Sequence, residues 1–187
     1  MKSFAVLTLA VILAPAALAQ HQTFAVYADA SEVKMTLKTT HELVNGAFHI
    51  KSGSVEFDRS TPKMSGSVVV LAGSGKTGNG SRDKKMNKEI LQVDQHATVS
   101  FEPKSYAGVI APSGDSTIQV TGTFTLAGMP HDITIRMLVH LEDTTATAKA
   151  HFDVPYIQWG LKDPSFLFWK AEHDVAIDLF LTGQLSK

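Results

Sequence analysis

The chain has 187 residues, a formal net charge of −1 and no cysteine. That length supports one sizeable core, and the near-neutral balance gives no electrostatic case for nucleic acid. Without cysteine, stability rests on packing and not on disulfides.

Taken in chain order, residues 1–19 read as a secretory leader. Lys2 is positive, the stretch from Phe4 to Leu13 is apolar, and Ala17-Leu18-Ala19 fits a small-x-small cleavage site. Cleavage is expected after Ala19, leaving residues 20–187 as one exported domain, periplasmic or secreted. The apolar run is too short to span a bilayer. No later run is long enough to be transmembrane, and no cysteine follows it for a lipid anchor.

Strand signals dominate the rest of the chain. Thr23 to Ala28 opens the fold, and Val33, Met35 and Leu37 share one face of the next segment. Asn45-Gly46 predicts a hairpin turn, because both residues tolerate positive φ. Phe48 to Asp58 reads as a strand with a bulge or bend at Gly53. Ser65 to Leu71 is a further strand. Ser81, Asp83 and the stripe Met86, Ile90, Leu91 and Val93 predict one short amphipathic helix capped by Ser81, with its lysines outward. Val99, Phe101, Ile118, Val120, Phe124 and Leu126 mark three more strand segments.

The next hairpin writes out its own register. Ile133, Ile135, Met137, Val139 and Leu141 alternate with polar residues, as do Ala146, Ala148, Ala150, Phe152 and Val154. A turn at Asp143-Thr144 pairs Leu141 with Ala146, Val139 with Ala148, Met137 with Ala150, Ile135 with Phe152 and Ile133 with Val154. A one-residue slip would turn every apolar side chain into water. The three alanines fill little volume, so this face can border a cavity. Val175, Ile177, Leu179 and Leu181 line one face of the last strand. The predicted class is an all-β, extended antiparallel lipocalin-like barrel with one short helix. An immunoglobulin-like sandwich is the alternative.

The candidate sites thin out on inspection. Gly73-Ser74-Gly75-Lys76-Thr77 lacks the first glycine of a phosphate-binding loop, since Val70 stands there, and reads as an inter-strand loop. The eight histidines include no pair at i, i+2 or i, i+4, so no metal is expected. No serine stands in a G-x-S-x-G elbow. Asp153, Asp163, Glu172 and Asp174 are close in sequence, which strand-end solubility explains. The segment 155–169 differs: it holds both tryptophans, Trp159 and Trp169, with Tyr156, Phe166 and Phe168. These rings plug one barrel end or line and gate a cavity mouth, two compatible readings, and at least one tryptophan is expected near the chamber. The candidate apolar lining is therefore Val99, Phe101, Phe124, Ile135, Met137, Ala148, Ala150, Phe152, Trp159, Phe166, Phe168, Val175 and Ile177.

Three motifs carry a resemblance. Ser81-Arg82-Asp83-Lys84-Lys85-Met86 with Ile90-Leu91 and Ala97-Thr98-Val99-Ser100-Phe101 resembles the R-D-x-x-[ML] helix and following strand of the YceI-like family. Thr121 to Gly128 is similar to its v-x-G-x-L-x-L-x-G segment. Val154 to Ser165 is similar to the V-P-Y-x-x-W-G-x-K-x-P-S stretch of one branch. The resemblance implies a lipocalin-like barrel in the bacterial periplasm that holds a long isoprenoid or quinone-type lipid, and the leading expectation is non-catalytic binding or carriage of such a lipid. No cofactor is expected, and the expected partners leave room for a homodimer. Arg82 and Asp83 are expected to fix the helix to the barrel, the alternative being contact with the ligand. The competing class is an enzyme or stress protein acting on a small amphiphile.

Overall fold

Ten strand segments form one antiparallel sheet in the computed structural model, which describes residues 21–186. The expected leader, residues 1–19, lies outside the described residues. β1 (His21–Val26) and β2 (Glu32–Lys38) are halves of one bent strand, parted by a 3₁₀ turn at Ala28–Ala30. β3 (Leu43–Phe48) and β4 (Ile50–Asp58) are likewise consecutive. Then come β5 (Met64–Leu71), β6 (Thr98–Ala107), β7 (Gly114–Leu126), β8 (Met129–Glu142), β9 (Thr145–Val154) and β10 (Val175–Ser186).

Closure depends on β10. One of its edges pairs with β9 along its length, and the other pairs with β2 and then with β1. Because β1 pairs with β4 and β2 with β3, the ring closes with eight strand positions. Chain neighbours are sheet neighbours throughout, which is the up-and-down barrel expected and not a sandwich. Gly183 is buried where β10 passes from one partner to the other. A Cβ there would stand 2.1 Å from the Ala25 carbonyl oxygen. Gly183→Ala is expected to cost about 1–3 kcal/mol in urea unfolding; an unchanged midpoint would refute this reading.

Several expectations are corrected. Asn45-Gly46 is not a turn but lies inside β3, where Asn45 pairs with Thr36 and Gly46 with Met35, and a Cβ at Gly46 would meet Met35 Cγ at 3.0 Å. The turn falls at residues 39–42, where the Thr39 hydroxyl oxygen accepts from the Glu42 amide (3.1 Å). The irregularity of β4 lies between Ile50 and Ser52, and Gly53 instead leaves room for Val26. β7 is one long strand in place of the two segments predicted. The helix α1 (Gly80–Lys85) is capped by Asn79, not Ser81, through amides of Ser81 and Arg82 (3.0 and 3.1 Å), and it runs on into a π-helical turn at Met86–Ile90.

The hairpin register is as written in the sequence for Leu141–Ala146, Val139–Ala148 and Met137–Ala150. Beyond that point the ladder stops, so Ile135–Phe152 and Ile133–Val154 do not pair. Aromatic packing takes over there. Phe124 meets Phe152 edge to face, and Trp159 lies against Phe124 and stacks on His131.

Candidate ligand-binding cavity

The inner face of the barrel is apolar but not filled. Strand period two turns Phe24, Val33, Met35, Val55, Val68, Ile118, Val120, Ile135, Leu141 and Leu181 inward. Ala146 and Ala148 stand among them with little volume. The space they leave is a cavity of about 650 Å³, within the range of roughly 300–1,000 Å³ usual for small-molecule sites. It runs the length of the barrel. At one end its floor includes Ile110, folded in from the β6–β7 connection, with Phe57 and Leu185. At the other end the wall turns polar, at Glu42, Thr77, Asn79, Ser81, Arg82 and Lys85, joined by Pro164, Phe166 and Trp169.

The mouth is built from three segments far apart in sequence. The Thr77 amide and hydroxyl both donate to the Asp83 carboxylate (2.9 and 2.6 Å). Arg82 donates from Nε to the Thr77 hydroxyl and from Nη2 to the Thr77 carbonyl (2.9 and 2.8 Å). Its Nη1 reaches Glu42 on the 39–42 turn at 2.8 Å. Arg82 and Asp83 thus hold α1 to the barrel, as expected, and Arg82 also borders the opening. The loop between β9 and β10 is clamped from both sides. The Thr40 amide donates to the Lys170 carbonyl (2.9 Å), and Lys85 Nζ donates to the Pro164 carbonyl (3.1 Å).

Two ionisable groups show how this end is held. Hydrogen bonds from Thr77, first the hydroxyl, hold the Asp83 carboxyl below the ordinary Asp value, against the effect of its burial. Its folded pKa is therefore lower than its unfolded one. The stabilisation it brings is complete above about pH 4 and is lost as pH falls through the depressed folded value. Asp83→Asn should be less stable near neutrality, and its urea midpoint should depend less on pH over the acid range. Equal acid sensitivity in variant and wild type would rule this out. Burial pushes the Tyr156 hydroxyl up to about 12. It stays neutral and donates to the Glu172 carbonyl at 2.8 Å, a structural tie and not a titrating group.

The structure divides the candidate lining. Val99, Phe101, Phe124, Ile135 and Met137 border the cavity, as do Ala148, Phe152, Phe166, Val175 and Ile177. Three do not. Ala150 lies where β8 and β9 begin to part, on the inward-facing register between Met137 and Leu179, but does not reach the cavity. Trp159 is drawn off by its stack on His131, with centroids 4.1 Å apart and planes within 5°. Phe168 points to solvent, 87% exposed. Of the two tryptophans it is Trp169 that borders the chamber. The polar mouth escapes sequence reasoning because no period links its parts. Ile110 sits in a connection and carries no alternation to reveal it. Among the described residues no three His, Cys, Asp or Glu side chains gather as a metal site.

No curated protein matches the chain. Solved structures do match its fold. The crystal structure of Burkholderia cenocepacia BcnA aligns with a TM-score of 0.68 at 18% identity, covering 84% of this chain and 99% of that one. A polyisoprenoid binding domain from Saccharophagus degradans, implicated in plant cell wall breakdown, aligns at 0.67 and 16% identity, covering 90% and 100%. The Campylobacter jejuni YCEI protein aligns at 0.58 and 17% identity, covering 77% and 86%. The sequence pattern described as the YceI-like domain matches residues 24–182, most of the barrel, and the chain therefore belongs to the YceI-like family.

Proposed function

We propose that this protein binds and carries a long isoprenoid lipid, polyprenyl or quinone-type, without catalysing a reaction on it. The observation that carries the reading is the cavity itself: predominantly apolar along the barrel, with its charged and most of its polar lining gathered at one end. An amphiphile with one polar head and a long apolar tail has that same distribution. The barrel gives the tail room in length. β8 has 14 residues, and a strand of that size is about 45 Å long, or roughly 35 Å along a tilted barrel axis. The driving force is apolar area withdrawn from water, about 25 cal/mol per Å² before ordering costs. The polyisoprenoid-binding name of the Saccharophagus degradans neighbour agrees with this reading. The leader pattern of residues 1–19 supports a carrier that works in the periplasm.

Native mass spectrometry of the exported protein, followed by lipid extraction, tests the proposal. A stoichiometric mass increment that extracts as an isoprenoid is expected. A protein that leaves the cell empty and takes up neither polyprenols nor polyprenyl quinones would overturn it and favour an enzyme of small amphiphiles.

A further inference from the structure

The loop that closes the mouth carries an apolar tip turned away from the barrel. Phe166 and Trp169 exchange two backbone hydrogen bonds, each 2.9 Å, and so pinch off a tight turn. Leu167 takes a positive φ of 51° to make it. Phe166 and Leu167 are each 69% exposed and Phe168 is 87% exposed. Three adjacent large apolar side chains in water are unfavourable unless something covers them. The tip is also held in place. Thr40 donates its hydroxyl to the Phe168 carbonyl (3.2 Å), the Ser165 hydroxyl accepts from the Ala171 amide (3.0 Å), and Asp163 accepts from the Ser165 amide (2.8 Å). The rings therefore project from a braced loop.

The groups beside the tip point to its partner. α1 and the turn after it present Lys84, Lys85 and Lys88, all exposed and, among the described residues, in no ion pair. Two acidic groups of this end are paired with cations, Glu42 with Arg82 and Glu89 with Lys162, whereas Asp83 is hydrogen-bonded to the neutral Thr77 and keeps its charge. Asp94, Asp153, Asp163, Glu172 and Asp174 are in no ion pair among the described residues, so net charge does not drive attachment: the apolar tip supplies it, and the lysines act only locally. An apolar wedge with a tryptophan behind it and lysines alongside is the composition that settles at a bilayer surface. Phe166 and Trp169 border the cavity as well. Whatever surface buries the tip also faces the opening.

We propose that the Phe166–Trp169 turn is a membrane anchor that seats the cavity mouth on an anionic lipid bilayer. The proposal rests on the lipid-carriage reading and deepens it. A long apolar tail leaves a bilayer slowly if it must cross water, and a mouth pressed against the headgroups spares it that crossing. The anchor is what makes loading and release practical.

The test compares wild type with Leu167→Asn/Phe168→Ser, a pair that leaves the cavity-lining Phe166 and Trp169 in place. Asparagine suits the positive φ at 167, so the turn should persist. Co-sedimentation with phosphatidylethanolamine–phosphatidylglycerol vesicles reads docking, and native mass spectrometry reads bound lipid. Wild type should sediment with the vesicles. The double variant should partition less, by about tenfold for each residue removed, with its bound lipid unchanged. Lys84→Gln/Lys88→Gln should weaken docking less, and only at low salt. Equal vesicle binding by wild type and the Leu167/Phe168 variant would overturn the anchor. Wild type that retains lipid yet ignores vesicles would overturn the anchor and leave carriage standing. Wild type that docks through the turn but never holds lipid would overturn carriage, and with it the role assigned to the anchor. A dimer in sedimentation velocity that the double variant abolishes, without vesicle binding, would make a second copy of this chain the occupant and overturn the bilayer.

Discussion

Ala148→Phe is expected to expel the bound lipid while leaving the barrel folded. Ala148 pairs with Val139 on one side and Leu181 on the other, midway along the wall, and borders the cavity. A phenyl ring there projects into space that the ligand would occupy. Retention should fall by tenfold or more, about 1.4 kcal/mol for each factor of ten. Because the space is open, the ring should not incur the about 1–3 kcal/mol that overpacking a filled core costs. Ala150→Phe should reduce retention less, since Ala150 does not border the cavity. Lipid content by native mass spectrometry, read beside the urea midpoint, separates the cases. A marked loss of stability with lipid still bound would mean that the interior is packed at this point.

The second large effect is optical. Titrating delipidated protein with a polyprenyl quinone should quench tryptophan emission saturably, and the signal should belong to Trp169. That ring is half-buried at the mouth, where the polar head of a lodged amphiphile would come to rest. Trp159 is set back, stacked on His131 and separated from the chamber by Phe124, 5.7 Å away between centroids. Trp159→Phe should therefore keep most of the quenching and Trp169→Phe should lose it. The reverse pattern would put the quinone head at the β7–β8 side and not at the mouth. A wild type that binds the quinone by another method, with no change in emission, would make the loop a plug.

The hairpin of β8 and β9 shows what one chain can state about itself. Its alternation has a period of two, and a period is a local property. Leu141, Val139 and Met137 can meet only Ala146, Ala148 and Ala150 without turning apolar side chains into water. The same logic turns Phe101, Phe124, Phe152, Val175 and Ile177 inward, and the all-β barrel with them. Where the ladder ends is not local. Ile135 and Phe152 keep the right alternation yet do not pair, because the rings of Phe124, Phe152 and Trp159 pack at that end of the strands.

The loops carry no period, and their outcome depends on distant contacts. Asn45-Gly46 has turn chemistry, yet Gly46 serves the close approach of Met35 inside a strand, and the turn falls at Thr39 instead. Trp159 and Trp169 belong to one irregular segment with nothing in their spacing to tell them apart. His131 takes the first, and the clamp between the 39–42 turn and α1 holds the second at the opening. Glu42, Thr77, Arg82 and Pro164 form one rim only because the barrel brings their segments to the same end. The barrel, its inward face and the small residues that leave it hollow are legible in the chain alone, because they follow from side-chain period and volume. The location and charge of the mouth, and which aromatic ring guards it, arise from contacts between residues far apart in the chain, which no local pattern encodes.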